Sequence, residues 1–263
     1  MSVIRSVAKG FFAAGDLFLP TPKGPRILIY HQIGAGLGRQ MEVSEEAFRR
    51  QLDWLIEKRQ VVSLDDAVDN WGHPASNEMV VLTFDDGYVD THTKAFPLLK
   101  ERGLPFVLYL ATESVETGQP LGPVAGAEPI SWTMISEMVA SGLVTIGAHT
   151  HTHRDLRNVP RIEVEREISL SNDLIADRLG IAPVHFAYPW GYWSEVADPL
   201  VKDRYETAVL GGSPHPHAAP PRHRLHRYPV QLGDGVAFFK VRLSGGLLLE
   251  ESVRRRLRSY SGP

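Results

Sequence analysis

The sequence predicts an α/β protein built as a distorted (β/α)7–8 barrel. Short continuous apolar runs, typical of strands buried on both faces, recur along the chain. Between them lie longer segments whose apolar residues recur at helical spacing. This alternation indicates a parallel sheet covered by helices, and a barrel is the simplest closed form of it for a chain of 263 residues.

The predicted strands are short runs in which apolar, often β-branched residues dominate. In chain order they are 26–30, 61–62, 79–84, 105–110, 143–148, 184–187 and the end of a βα unit over 196–210. The carboxyl ends of parallel strands meet at one edge of the sheet. Polar residues that follow these runs are therefore expected to lie near one another.

The predicted helices are recognised mainly by their ends. Ser44 and Ser131 are placed as N-caps, and Pro160 suits a first helical turn. Glycine ends three of the helices. In chain order the helices follow Ser44 (with Phe48, Leu52, Leu55 and Ile56 on the buried face), cover 64–70 and 90–102, follow Ser131, and cover 160–179.

Three stretches lack a clear pattern of buried structure. Residues 112–129 are rich in glycine and proline and are predicted as a loop, which at that length is usually functional or mobile. Residues 211–227 shift to proline, histidine and arginine, which indicates an irregular surface segment. The chain from 233 onward is predicted to be partly helical, with Arg254, Arg255 and Arg256 on a solvated face.

The chain is expected to divide into an N-terminal helical arm (1–24), the barrel (25–230) and a C-terminal helical tail packed on the barrel (231–263). The arm carries Arg5 and Lys9 before an apolar run that Asp16 interrupts, a poor match to a signal peptide. We expect a packed helix there, with peripheral contact to a membrane as the alternative. A cytoplasmic location, or one peripheral to a membrane, is therefore favoured.

Composition excludes several classes of function. A net charge of −3 gives no reason to expect a nucleic-acid partner, and the absence of cysteine excludes disulfides and thiol chemistry. No apolar run reaches the roughly 18 residues of a transmembrane helix. The hydrophobic content of 43% is enough for a large core. Composition gives no oligomeric state.

Two neighbouring carboxylates, Asp85 and Asp86, directly follow the 79–84 strand, and Gly87 follows them. Adjacent aspartates repel each other, and a metal ion is one reason to place them together. It can hold one carboxylate while the other stays available as a base. The alternative is an acidic helix start, which is common after strands.

The run from His149 to His153 follows another predicted strand and contains three histidines. His149 and His153 have a spacing used by paired zinc ligands, and His151 leaves a His-x-His pairing open as well. Two histidines and one aspartate would make three protein ligands with positions left for water and substrate. That arrangement is typical of a catalytic rather than a structural metal site.

The chain resembles the NodB-type polysaccharide deacetylases, carbohydrate esterase family 4, in three motifs. These are Thr83-Phe84-Asp85-Asp86-Gly87, the run from His149 to His153, and Phe186-Ala187-Tyr188-Pro189-Trp190-Gly191. The resemblance covers roughly 26–230 and implies the barrel of that family. It also implies Asp85 as general base, and Asp86, His149 and His153 as ligands of a divalent metal, most often Zn²⁺, with Co²⁺ or Ni²⁺ as alternatives.

The implied reaction is hydrolysis of an N-acetyl group, or less favourably an O-acetyl group, on a polysaccharide or cell-surface glycan. The metal would polarise the acyl oxygen and acidify water, and Asp85 would take the water proton. A backbone N–H near Tyr188, turned outward by Pro189 and Gly191, is expected to stabilise the oxyanion.

Two departures from the common family pattern point to its permuted subgroup, the deacetylases of biofilm polysaccharides. That subgroup carries a Tyr-His motif on the first strand, here Tyr30-His31. His31 is therefore the favoured general acid, and His226 of Leu225-His226-Arg227 is the alternative. In addition, Ala187 stands where many relatives place an arginine that orients the catalytic aspartate, so another group must hold Asp85.

Aromatic residues at predicted strand ends and loops are candidates for the walls of a saccharide groove, because aromatic faces stack on sugar rings. With Pro189, the predicted substrate-binding residues are Tyr88, Trp132, Trp190 and Trp193. Core packing is the alternative for each single aromatic residue.

Other functions remain as alternatives to a glycan deacetylase. An amidohydrolase of the same fold acting on a small non-sugar amide is one, and a catalytically silent glycan-binding relative is another. A glycosidase is disfavoured, since its two carboxyl groups must flank the scissile bond roughly 5–9.5 Å apart and neighbouring residues of a strand face opposite sides.

Overall fold

The computed structural model describes residues 23–121, 127–212, 220–232 and 234–244. Most of the predicted arm, the expected membrane contact at its surface and the arginines at 254–256 lie outside these residues, so those interpretations stay predictions. Within the described part of the chain, no helix combines the length and the apolar character that crossing a bilayer requires.

A parallel β-barrel forms the centre of the molecule, as the sequence predicts. The strands of the described residues, which include one separate short pair, are β1 (Arg26–Tyr30), β2 (Gln32–Ile33), β3 (Glu42–Val43), β4 (Gln60–Val61), β5 (Met79–Phe84), β6 (Phe106–Leu110), β7 (Val144–Ala148), β8 (His185–Ala187), β9 (Thr207–Leu210), β10 (Leu225–His226) and β11 (Tyr228–Pro229). The order around the barrel is β10-β9-β8-β7-β6-β5-β1-β11, with β4 paired to β5, while β2 and β3 form a separate parallel pair.

The barrel is closed by one short segment near the C-terminal end of the described chain. Leu225–His226 pairs with β9, and Tyr228–Pro229 pairs with β1, so the two edges of the sheet meet at Arg227. The prediction of an irregular surface segment is wrong for this part, because Leu225 and Arg227 are buried. Two strands of two residues each are too short to show a periodic pattern in the sequence.

Helices cover the outside of the barrel. They are α1 (Glu45–Lys58), α2 (Leu64–Asp69), α3 (Phe96–Glu101), α4 (Thr112–Thr117), α5 (Trp132–Ala140), α6 (Arg161–Leu179), α7 (Asp198–Arg204) and α8 (Val236–Leu243). Ser44 and Ser131 cap α1 and α5 as predicted, accepting the N–H groups of Ala47 (3.2 Å) and Met134 (3.3 Å).

The structure differs from the predicted helices in three places. A π-helical turn, Thr91–Ala95, precedes α3, where the sequence predicted one helix over 90–102. The segment predicted as a loop from 112 begins with α4. Ile56 is 49% exposed instead of lying on the buried face of α1.

The barrel interior is packed with side chains, and α2 contributes to this packing. Inward-facing apolar residues of the strands and of α2 form one cluster, composed of Ile27, Leu64, Ala67, Val68, Val81, Val107, Tyr109, Ala187, Val209 and Leu225. Gly147 leaves room for the Tyr109 ring, because a β-carbon at position 147 would lie 2.4 Å from that ring. A second and larger cluster lies between the barrel and its outer helices.

The described part of the C-terminal tail packs behind β1. The Trp54 and Phe239 rings meet edge to face with centroids 6.0 Å apart, which joins α8 to α1. The buried Arg242 donates to Asp234 (3.1 Å), and Gln51 donates to the Asp234 carbonyl (3.1 Å). These contacts hold α8 against α1.

We predict that Gly147→Ala lowers the free energy of unfolding by about 1–3 kcal/mol, because the added methyl group overlaps the buried Tyr109 ring. Urea unfolding of the substituted protein measures the loss. In a Tyr109→Leu background the ring is gone, so the same substitution is expected to cost less. An equal cost in both backgrounds would show that the Tyr109 contact is not the cause.

Candidate active site

Asp85 and Asp86 leave the end of β5 in different directions. The N–H of Asp85 donates to the Tyr30 carbonyl (3.0 Å) and so continues the ladder between β5 and β1. Asp86 has a φ of 74° and Gly87 a φ of 81°, both in the left-handed region. This turn separates the two carboxylates, so that Asp85 meets Arg227 and Asp86 meets two histidines.

Arg227 holds Asp85 by a bidentate ion pair inside the barrel. Its Nη1 donates to Asp85 Oδ1 (2.6 Å), and its Nη2 donates to Asp85 Oδ2 (2.7 Å). The guanidinium also donates to Thr83 Oγ1 (3.0 Å) and to the Leu210 carbonyl (3.2 Å). Both charged side chains are almost fully inaccessible to solvent, which fixes the orientation of the carboxylate.

The pKa of Asp85 reflects this pair. Burial alone would raise it, but the positive charge of Arg227 and, next, the nearby His149 lower the pKa to about 2. Asp85 is therefore ionised at any pH near neutrality. An ionised carboxylate with one defined orientation is the state that a general base requires.

Arg227 is the functional side chain that the sequence analysis missed. It supplies the contact that Ala187 cannot, although it lies 40 positions further along the chain on a different strand. The apolar Tyr228-Pro229-Val230 run directly after it was the one local sign of a buried strand there. Its pairing with Asp85 follows only from closure of the barrel.

The structure brings Asp86, His149 and His153 together, with one ligating atom of each within 4.8 Å of the others. His149 Nε2 and His153 Nε2 lie 3.5 and 3.4 Å from Asp86 Oδ1. That oxygen is buried and accepts no hydrogen bond from the described residues. A buried carboxylate oxygen that faces two imidazole nitrogens is expected where a cation binds.

His149 is in the protonation state that binds a metal. Its Nδ1 lies 2.7 Å from the Ala187 carbonyl and donates a hydrogen bond to it, which leaves the lone pair of Nε2 directed at Asp86. Burial, the main cause, lowers the pKa of His149 to about 4, so its imidazole is neutral near pH 7. The oxygen and two nitrogen donors fit Zn²⁺ or a similar divalent ion.

His151 does not join this group. Its Nδ1 lies 3.0 Å from Thr112 Oγ1, the first residue of α4. Thr150 and His153 have φ values of 65° and 57°, and these left-handed residues turn the chain between the two predicted ligands. Of the two pairings that the sequence left open, the structure therefore assembles the His-x3-His pair.

His31 lies next to both aspartates. It follows β1, and the last pair of the β1–β5 register is Tyr30 with Phe84, directly before the two carboxylates. Against the effect of burial, His153 and then His31 lower the pKa of Asp86. The Nδ1 of His31 is buried without a partner among the described residues. His226, the alternative, ends β10 opposite Leu210.

In the Tyr188–Gly191 turn, one backbone N–H has no hydrogen-bond acceptor among the described residues and can donate to an oxyanion. The N–H of Tyr188 donates to the Val209 carbonyl (3.1 Å), so this N–H is not free to bind the oxyanion as predicted. Pro189 has no N–H, and that of Gly191 donates to the Tyr188 carbonyl (2.9 Å). Trp190, with a φ of 61°, carries the remaining donor.

Two of the predicted substrate-binding aromatic residues lie at the metal-ligand group. Trp190 is 63% exposed, and its ring centroid lies 5.3 Å from that of His153. Tyr88 is mostly buried, and burial and then the neighbouring Asp86 carboxylate raise its pKa above the usual value. Pro189 is buried beneath the turn that carries Trp190.

Trp132 and Trp193 make contacts with other side chains of the protein. The Trp193 indole donates to Asp198 (3.0 Å), and Arg224 covers its ring at 4.2 Å from the centroid. The Trp132 indole donates to Glu116 (2.8 Å) on α4, which also pairs with Arg178 of α6. Both rings join secondary-structure elements, and their part in a saccharide groove stays a prediction.

Comparisons with known proteins identify the family of the chain. The model of the polysaccharide deacetylase family matches residues 72–205, just over half of the chain. YxkH of Bacillus subtilis (strain 168) is 26% identical over 220 residues, which are 81% of this chain and 74% of YxkH. The poly-beta-1,6-N-acetyl-D-glucosamine N-deacetylase of Escherichia coli (strain K12) is 33% identical over 121 residues, 43% of this chain and 18% of that protein.

Solved structures show the same fold. IcaB from Ammonifex degensii superposes with a TM-score of 0.70 at 25% identity, over 80% of this chain and 93% of that one. The deacetylase PplD of Streptococcus pyogenes superposes with a TM-score of 0.67 at 23% identity, over 79% of this chain and 92% of PplD. The predicted barrel and the predicted family resemblance are both confirmed, and the chain belongs to the polysaccharide deacetylase family.

Proposed function

We propose that this protein is a metal-dependent deacetylase that removes N-acetyl groups from a polysaccharide or cell-surface glycan. The observation that carries the proposal is the convergence of Asp86, His149 and His153 beside Asp85, a carboxylate that Arg227 already neutralises and orients. The family match supports acetylated glycans as the substrate class. Zn²⁺ is the proposed metal, since its usual ligands are those present.

The substrate is proposed to be an exopolysaccharide that contains N-acetylglucosamine. One relative, from Escherichia coli, is named for its action on poly-beta-1,6-N-acetyl-D-glucosamine, and its 33% identity extends over 121 residues of this chain. The exposed Trp190 ring beside His153 offers a flat apolar face to a sugar at the metal-ligand group.

The proposed chemistry assigns a separate task to each side chain. Asp86, His149 and His153 would hold the divalent ion, which when bound polarises the acyl carbonyl and acidifies water. Asp85 takes a proton from the attacking water, and the N–H of Trp190 donates to the developing oxyanion. His31 gives a proton to the amide nitrogen as the C–N bond breaks, so that the group leaves as a neutral amine and not as a strongly basic nitrogen anion.

The base assignment predicts that Asp85→Asn retains the metal but lowers kcat about 10²–10⁴-fold, because the amide cannot accept the water proton. Acetate release from β-1,6-linked N-acetylglucosamine oligomers and chito-oligosaccharides, and ring opening of small cyclic amides, measure this together with metal content. Wild-type protein should lose activity to a chelator and regain it with Zn²⁺. Activity on the cyclic amides alone would favour the small-amide hydrolase.

Asp69→Asn is the matched control, because Asp69 is exposed and pairs only with Arg222 at the surface (2.9 Å) among the described residues. It is expected to keep wild-type turnover. Full activity in Asp85→Asn would remove Asp85 as the base. Full activity in chelator-stripped wild type would exclude metal dependence.

The role of Arg227 predicts that Arg227→Lys lowers kcat about 10²-fold, since an ammonium group cannot make the bidentate contact that orients Asp85. Steady-state kinetics with metal content checks this, and the metal content should not change. Arg224→Lys, which alters an arginine paired with Asp198 (3.1 Å) at a more exposed position, should have little effect on kcat. An unchanged kcat in Arg227→Lys would show that Asp85 is oriented by other contacts.

Substrates with different leaving groups distinguish between the two candidate general acids, His31 and His226. His31→Ala is expected to lower kcat on N-acetyl substrates about 10²–10⁴-fold. It should affect 4-nitrophenyl acetate much less, because a phenolate leaves without protonation. His226→Ala should change neither rate strongly. The reverse pattern, with the selective loss in His226→Ala, would transfer the acid role to His226.

A further inference from the structure

We infer that Glu167 is a positioning residue that sets the metal affinity of the site by holding the backbone between the two histidine ligands. The inference rests on the proposed function, since it assumes that His149 and His153 bind a divalent ion. Glu167 lies on α6, and among the described residues it forms no hydrogen bond with the side chain of His149 or His153. It binds the loop that joins these two residues.

The Glu167 carboxylate accepts three hydrogen bonds from two consecutive residues of that loop. Its Oε2 accepts the N–H groups of His151 (3.0 Å) and Thr152 (2.8 Å), and its Oε1 accepts the Thr152 hydroxyl (2.7 Å). Glu167 is only 6% exposed, so water competes little for these bonds. Hydrogen bonds to a buried carboxylate are among the stronger ones in proteins.

The position of Glu167 on its helix indicates that the carboxylate has a specific purpose. The buried face of α6 is formed by Val164, Glu167, Ile168, Ser171 and Ile175. An ionised side chain among apolar neighbours costs desolvation energy unless donors surround it. The donors here are the loop N–H groups, so the helix and the loop fix each other.

The other side of the loop is held by α4. The N–H of Thr112 donates to the Thr150 carbonyl (3.2 Å), and that of Glu113 donates to the His151 carbonyl (2.9 Å). The loop is thus bound through its carbonyls on one side and through its N–H groups on the other. Without the Glu167 carboxylate, the loop would lose the hydrogen bonds on its N–H side and keep those to α4.

The loop needs this support because its backbone is strained. Thr150 and His153 both have left-handed φ values, a conformation that is unfavourable for a non-glycine residue and persists only where surrounding contacts enforce it. His153 is itself a predicted ligand. Relaxation of its φ would turn the imidazole away from Asp86 Oδ1, which is now 3.4 Å distant.

The test measures metal affinity directly, by competition between the folded protein and a chromophoric chelator for Zn²⁺, and by the absorption spectrum of the Co²⁺ form. Glu167→Ala is expected to weaken Zn²⁺ binding about 100-fold. Glu167→Gln is expected to weaken it about 10-fold, since the amide oxygen still accepts a hydrogen bond but carries no charge. The Co²⁺ bands should shift in both variants. Glu167→Gln decides the outcome where Glu167→Ala does not fold.

Glu165→Gln is the matched control, because Glu165 lies on the same helix and pairs with Arg204 (3.3 Å) at a half-exposed position. It should keep the wild-type affinity and spectrum. A purely structural role for Glu167 would lower the melting temperature of the metal-free protein and leave the affinity of the folded protein unchanged. That result, with an unshifted Co²⁺ spectrum in Glu167→Gln, would overturn the inference.

The two proposals fail in different ways. If wild type and Glu165→Gln bind no divalent ion, the proposed metal-dependent function is wrong. If both bind the ion and Glu167→Gln binds it equally well, the function stands and only the positioning role of Glu167 is lost.

Discussion

The buried ion pair between Arg227 and Asp85 is the interaction on which the rest of the structure depends. Taking two charges out of water is costly, and only good geometry with further hydrogen bonds offsets that cost. Here the guanidinium has four polar contacts, two to Asp85 and one each to Thr83 and the Leu210 carbonyl. Arg227 lies between β10 and β11, the two strands that close the barrel. The same segment therefore closes the barrel and orients Asp85.

Backbone strain is concentrated around this pair. Among the described residues, the non-glycine positions with positive φ are Asp86, Thr150, His153 and Trp190. All four belong to the metal-ligand group, the loop between its histidines or the turn proposed to hold the oxyanion. Such conformations persist only where neighbouring contacts enforce them, and the bonds from Glu167 and α4 to the histidine loop are contacts of that kind.

Local sequence patterns were sufficient for the strands that deliver the site, because each is an apolar run that stops at a polar residue, as at Asp85 and His149. They were insufficient for Arg227, which lies in a region of proline, histidine and arginine and is buried only because two sheet edges meet there. Trp132 and Trp193 show the same limit. The sequence around them does not reveal the bonds that their indoles make to Glu116 and Asp198.

The two adjacent carboxylates differ in how their charges are balanced. Asp85 is neutralised within the protein by a guanidinium, so it has no need of a metal and can act on water. Asp86 faces His149, whose pKa of about 4 makes it neutral near pH 7, and its buried Oδ1 accepts no hydrogen bond among the described residues. A buried negative charge beside a neutral imidazole is further stabilised when a cation binds. The turn at Asp86 thus directs the Asp85 carboxylate to Arg227 and leaves the Asp86 carboxylate to bind an ion.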